Sequence, residues 1–187
     1  MLFLQRHGVA TVSSAVALAA FFLATGLIYL SLKSLVASLI AGLCASAVGF
    51  AGAWDWHTRT IPNLVSLGAI PFALALHPLM SNSDYQVTPG DYLSPVAGGL
   101  VAFGIFFSVY LFNRKKLGGG DVKLATLIGV MCGFPGTLIA LGMGMVLAVI
   151  SMVTFRKARG YVLTDFPLGP HLALATVVYL CFISSRF

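Results

Sequence analysis

Long uncharged stretches constrain this chain more than any other feature of its sequence. If histidine is counted as neutral, six such stretches lie between the ionisable side chains, at residues 8–32, 34–54, 60–83, 92–113, 124–155 and 166–185. A membrane hydrocarbon core about 30 Å thick is crossed by about 20 helical residues. Each stretch is long enough to cross it. The pattern predicts an all-α, polytopic membrane protein.

The fifth stretch, 124–155, is too long for one spanning helix. Gly133-Phe134-Pro135-Gly136 interrupts it with residues typical of a turn. We therefore expect a helical hairpin there and about seven transmembrane segments in one integral membrane domain, residues 1–187. Only 9% of residues are charged, whereas soluble domains carry about 25%, which excludes a water-soluble globule.

The basic residues predict an orientation. If the loop containing Arg59 lies in the cytoplasm and the spans alternate, nine of the eleven Lys and Arg residues fall on the cytoplasmic side. This asymmetry is what the positive-inside rule describes. It places the N-terminus in the cytoplasm and explains the net charge of +6 by contact with membrane lipid. We expect no nucleic-acid partner.

All five acidic residues are aspartates, and three of them are candidates for function. Asp84 and Asp91 fall in a predicted outer loop, where solvation accounts for them. Asp55, Asp121 and Asp165 fall on the cytoplasmic side, beside or within apolar segments. A carboxylate at membrane depth is energetically costly, so such residues are functional-site candidates by default.

Asp121 is predicted to start a short or partly re-entrant helix. Residues 122–134 cover only about 20 Å, so a turn at the outer surface leaves Asp121 below the cytoplasmic surface. The preceding Gly118-Gly119-Gly120 is a poor helix former, and irregular backbone at that depth must be buried in protein or line a water-filled cavity. This pattern fits a hydrolytic site for an extended peptide, and it equally fits a helix-capping aspartate after a flexible loop.

Asp55 ends the second apolar stretch and is followed by a short connection. Pro62 suits the first turn of the third helix, which would keep Asp55 near the interface. Taken alone, Asp55 is explained as an interfacial residue paired with Arg59. If the second and fifth segments pack together, however, Asp55 and Asp121 form a dyad that shares one proton. The ionised member would deprotonate a water molecule while the protonated member polarises a carbonyl.

Three motifs together carry a family resemblance. Asp55 is followed after five residues by Ile61-Pro62-Asn63, residues 118–124 read GxGDxKL, and Pro167-Leu168-Gly169-Pro170 precedes the last segment. In this order they resemble the type IV prepilin peptidases, which are GxGD-class intramembrane aspartic proteases. The resemblance implies a bacterial inner-membrane endopeptidase that removes the basic leader peptide from prepilins or pseudopilins at the cytoplasmic face. It implies Asp55 and Asp121 as the catalytic pair.

The same resemblance assigns site-shaping or substrate-binding positions. These are Gly118, Gly119, Gly120, Lys123, Pro62 and Asn63. The Ile-Pro-Asn and Pro-Leu-Gly-Pro motifs are expected to be architectural. The chain resembles the short, peptidase-only branch linked to tight-adherence (Flp) pili, because its three cysteines stand singly and form no CxxC motif. We therefore expect no metal and no cofactor; the sequence shows no SAM-binding pattern that would support methyltransferase activity, and that activity and the oligomeric state stay open.

Two other functions fit parts of the pattern. A small proton- or cation-coupled transporter subunit would also use intramembrane aspartates and a broken helix, although the sequence has no internal repeat. A catalytically inactive component of pilus assembly is the third possibility. The presence of both Asp55 and Asp121 argues against it.

Overall fold

The computed structural model describes residues 2–32, 35–81, 88–112, 117–159 and 167–183. Within these ranges the chain forms helices and no strand, which confirms the all-α prediction. The helices are α1 (Leu2–Leu32), α2 (Leu35–Thr58), α3 (Asn63–Ser81), α4 (Leu93–Phe112), α5 (Gly119–Cys132), α6 (Gly136–Arg159) and α7 (Gly169–Val178). A 3₁₀ turn, Pro89–Tyr92, leads into α4, and a π-helical turn, Tyr179–Ile183, continues α7. Asp84 and Asp165 lie outside the described residues.

The helices have the length and composition of an integral membrane protein. Three segments are long and apolar enough to cross a membrane: Leu35–Thr58, Pro89–Phe112 and Gly136–Thr154. Shorter apolar helices cover Thr11–Gly26, Asn63–Leu79 and Gly169–Cys181. The helix α5 has 14 residues and is about 21 Å long, which is shorter than the hydrocarbon core. The expected short helix near Asp121 is therefore present.

Two helices organise the bundle. The helix α2 packs against α1, α3 and α7, and α5 packs mainly against α3 and α4, with α6 beside it. Leu124, Leu127 and Ile128 of α5 are fully buried, as are Val48 of α2 and Leu172 of α7. Burial of α5 on all sides explains why its sequence is apolar around most of its circumference.

The predicted hairpin between α5 and α6 is also confirmed. The chain turns through Gly133, which has a φ of 59°, and the Phe134 N–H donates to the Ser94 carbonyl at 3.0 Å. The buried Thr137 hydroxyl donates to the carbonyls of Gly133 at 2.8 Å and Gly129 at 3.1 Å. Both carbonyls also accept a backbone N–H, from Gly133 and from Thr137, so the hydroxyl adds further bonds that hold the end of α5 to the start of α6.

Candidate active site

Asp55 lies in the last turn of α2 and is only 6% exposed. The helix ends three residues later, at Thr58, because Arg59 adopts a left-handed conformation with a φ of 53°. The Arg59 N–H donates to the Asp55 carbonyl at 2.8 Å, which is the single bond of an αL helix cap. The backbone of Asp55 is thus fixed by the same turn that redirects the chain toward α3.

The turn from α2 to α3 corrects one prediction. Pro62 was expected within the first turn of α3, but α3 begins at Asn63 and Pro62 precedes it. The Pro62 carbonyl accepts the N–H groups of Val65 at 3.1 Å and Ser66 at 3.2 Å, and the Ser66 hydroxyl at 3.2 Å. Pro62 therefore acts as a cap, since its carbonyl starts the helical hydrogen bonds while its ring lies outside the helix.

The start of α5 corrects a second prediction. The helix begins at Gly119 rather than at Asp121, so two glycines expected in the loop are helical. The reason is a reciprocal cap: the Gly118 N–H donates to Asp121 Oδ2 at 3.1 Å, and the Asp121 N–H donates to the Gly118 carbonyl at 3.1 Å. Asp121 occupies the third helical position, where a carboxylate caps the first turn.

The ends of α2 and α5 bring the two acids into one neighbourhood. Asp55 and Asp121 are close enough for the charge of the Asp55 carboxylate to act on the Asp121 carboxyl. The Asp55 carboxylate also lies within the field of the Arg59 guanidinium. Asp121 is partly exposed whereas Asp55 is buried, so the pair joins a dry carboxyl to one that water can reach.

Gly169 contacts the Asp55 carboxylate directly, a role that the sequence did not predict. Its N–H donates to the Asp55 carboxylate, and a Cβ at this position would lie 2.6 Å from Asp55 Oδ2. The start of α7 can come this close because Gly52 of α2 faces it: a Cβ there would lie 2.5 Å from the Ala173 Cβ and 3.2 Å from the Pro170 Cα. The Pro-Leu-Gly-Pro motif, which the sequence predicts to be architectural, is the signal in the sequence that points to this contact.

The other predicted site residues lie where the α2–α3 turn meets α5. Lys123 Nζ donates to Asn63 Oδ1 at 2.8 Å. A Cβ on Gly120 would lie 3.2 Å from the Ile61 Cβ, whereas a Cβ on Gly119 would meet nothing within 4 Å. Among the predicted glycines, Gly120 therefore makes a close contact and Gly119 faces open space.

The chemistry of this neighbourhood is that of two carboxyls and backbone donors. Across the described ranges, no three His, Cys, Asp or Glu residues are grouped so that they could hold a metal ion. An apolar groove of about 470 Å³ runs between α1, α2 and α7. Pro170 lines it, and only the first turn of α7 separates it from Asp55.

Comparison with known proteins gives one family. A sequence model described as the type IV leader peptidase family matches residues 42–153, a range that holds both aspartates. The chain is also 31% identical over 129 residues to a Vibrio cholerae serotype O1 protein named prepilin leader peptidase/N-methyltransferase. That alignment covers 66% of this chain and 48% of the Vibrio protein, so the chain matches about half the length of this relative. No solved structure matches.

Proposed function

Because the chain belongs to the type IV leader peptidase family, we propose that it is an aspartic endopeptidase that removes the basic leader from prepilins or pseudopilins. The observation that carries this proposal is that α2 and α5 are in contact, with Asp55 in the last turn of α2 and Asp121 in the first turn of α5, where Gly120 packs on Ile61 of the turn that follows Asp55. Residues from distant parts of the sequence meet there, and the matched family range includes both.

The reaction uses the pair with one shared proton. The ionised carboxylate takes a proton from a water molecule while the protonated partner donates a hydrogen bond to the scissile carbonyl oxygen. The hydroxide adds to the carbonyl carbon to give a tetrahedral intermediate. Its collapse breaks the C–N bond, and the leaving amine takes a proton from the dyad. Two carboxyls that share a proton titrate as a pair, not as separate residues.

The backbone donors hold the acids in place for these steps. The Gly169 N–H orients the Asp55 carboxylate, and the Gly118 N–H orients the Asp121 carboxylate. Both donors belong to residues at or beside helix N-termini, where unpaired N–H groups favour negative charge. Each acid thus has a backbone donor that orients its carboxylate, and the partly exposed Asp121 is the member that water can reach.

The cell location follows from the charges. We place the active site near the cytoplasmic face of the bacterial inner membrane and the N-terminus in the cytoplasm, because nine of eleven basic residues then lie on that side. A basic leader peptide would approach from this side. The Vibrio relative is named for two activities, leader peptidase and N-methyltransferase, and we propose only the first for this chain. Its partners would be a prepilin and membrane lipid, and the reaction would need no cofactor.

The test is co-expression of a prepilin with the wild type, Asp55→Asn and Asp121→Asn. We expect each variant to lose leader removal, by about 100- to 10,000-fold, since each substitution removes one of the two groups that exchange protons. The matched control is Asp91→Asn. This aspartate accepts the Thr88 N–H at 2.7 Å in the predicted outer loop, so its loss should leave processing intact. Processing by either site variant at normal membrane level would reject the dyad.

The purified enzyme adds a second readout. The rate should follow a bell-shaped pH profile, because activity needs one proton on the pair. A profile that is flat on both the acid and alkaline sides contradicts the mechanism when chemistry limits the rate. The transporter alternative predicts instead that prepilin stays uncleaved and that vesicles containing the protein carry a proton or cation flux.

A further inference from the structure

Lys123 makes a contact across the site that the reaction itself does not use. Its ammonium group donates to Asn63 Oδ1 at 2.8 Å. The two residues are 60 positions apart in sequence; Asn63 is the first residue of α3 and Lys123 the fifth of α5. Since neither residue is required for proton transfer in the dyad chemistry, the contact calls for another explanation.

The contact lies on the path that connects the two acids. Asp55 leads through the Arg59 cap into the α2–α3 turn, and Asn63 is the first residue of α3. Asp121 is two residues before Lys123 on α5. The Lys123–Asn63 bond therefore joins the turn that follows one acid to the helix that carries the other.

One other contact between these segments runs beside the bond. Gly120 faces Ile61 of the turn, and a Cβ on Gly120 would lie 3.2 Å from the Ile61 Cβ. This contact is apolar and non-directional. A hydrogen bond to a charged donor is directional and stronger than a neutral one, so it adds a defined alignment of Asn63 with α5 to the apolar packing of α3 against α5.

We propose that Lys123 is a positioning residue whose hydrogen bond to Asn63 sets the separation of the Asp55 and Asp121 carboxyls. The inference rests on the proposed peptidase function for its consequence on rate. Its structural part, that the bond sets the distance between residues 55 and 121, does not depend on that function. Displacement of reacting groups by about 1 Å lowers a rate by about 100-fold, so loss of the bond should act on kcat and leave KM nearly unchanged.

The first experiment measures rate. Lys123→Met keeps the length of the side chain without the donor, and Asn63→Leu keeps the size without the acceptor. We expect each to lower kcat by about 10- to 100-fold and the double variant to be no worse than either single one. Lys123→Arg restores a donor and should recover most of the rate. The control is Thr126→Val, which removes only a bond within α5, from the Thr126 hydroxyl to the Val122 carbonyl at 2.8 Å.

The second experiment measures separation without activity. In a chain whose native cysteines are replaced by alanine, Asp55→Cys and Asp121→Cys are joined with a short thiol-specific cross-linker. We expect Lys123→Met and Asn63→Leu to lower the yield by at least half, and Lys123→Arg and Thr126→Val to leave it unchanged. An unchanged yield in both Lys123→Met and Asn63→Leu, or additive losses of kcat, overturns the proposal. If the wild type cleaves no prepilin, the proposed function is contradicted but the positioning role of Lys123 is not, because cross-linking measures that role without any activity.

Discussion

The two ends of α5 are built differently. At the Gly129 end, α5 contacts α4 backbone to backbone: a Cβ on Gly129 would overlap the Gly98 carbonyl oxygen, and Thr137 and Phe134 add hydrogen bonds. At the Asp121 end, the helix starts with two glycines, one of which faces open space. Asp121 is held there by a single backbone N–H from Gly118.

One end of α5 therefore holds the helix in the bundle, while the other end carries Asp121. Close-packed backbone leaves no room for displacement, so the Gly129 end fixes the position of α5 in the bundle. At the Asp121 end, Gly119 meets no atom within 4 Å and Asp121 is partly exposed, so the start of the helix is packed less closely than its Gly129 end. An acid at such an end remains accessible to water and substrate while the rest of its helix is immobile.

The largest effect on stability is expected from Gly129→Ala, which adds a methyl group at the closely packed end of α5. The added methyl group would overlap backbone atoms of α4, and neither helix can yield by moving a side chain. We expect a loss of about 3 kcal/mol in the free energy of unfolding, measured by denaturation in detergent. Gly104→Ala is the matched control on α4, since nothing lies within 4 Å of a Cβ there. Equal effects of the two substitutions would remove the distinction between the ends.

A smaller effect is expected from Thr137→Val. The substitution keeps the shape and removes the hydroxyl that donates to the Gly129 and Gly133 carbonyls. We expect a loss of about 1 kcal/mol in the free energy of unfolding. The control is Thr154→Val on α6, whose hydroxyl donates to the Ile150 carbonyl at 2.8 Å within its own helix and is exposed. A loss no larger than the control's would show that the hairpin does not help to anchor α5.

The smallest effects are expected at the Asp121 end. Gly119→Ala meets no atom within 4 Å, so the free energy of unfolding should change by less than about 0.5 kcal/mol. Gly120→Ala pushes against Ile61 and should cost more, about 1 kcal/mol. Thermal unfolding of both variants in detergent gives the ranking. Gly119→Ala as destabilising as Gly129→Ala would mean that the two ends are packed alike.

The sequence predicted the helices well because the membrane imposes a simple rule. Charges are costly in the hydrocarbon region, so gaps between charged residues indicated the spans, and Gly133–Gly136 indicated the hairpin. The helix boundaries near Pro62 and Asp121 were displaced by one or two residues. Those boundaries depend on which carbonyl accepts the first hydrogen bond, and a pattern of residue types does not encode that choice.

The candidate acids could be proposed from sequence, but their supports could not. Asp55 and Asp121 stand out because a carboxylate beside apolar residues is rare. The Gly169 N–H is a backbone group that every residue except proline possesses, so nothing in the sequence marks it as a donor. The Lys123–Asn63 contact links positions 60 residues apart, and it exists only once α3 and α5 are adjacent.

The contact between Gly169 and Asp55 has a consequence for how tolerance to substitution should be read in this protein. Any side chain at position 169 would collide with the Asp55 carboxylate, so a saturation screen would rank this glycine beside the acids in sensitivity. The glycine nevertheless contributes only a peptide group, and that group survives every replacement but proline. Sensitivity at position 169 therefore reports a spatial requirement of its neighbour.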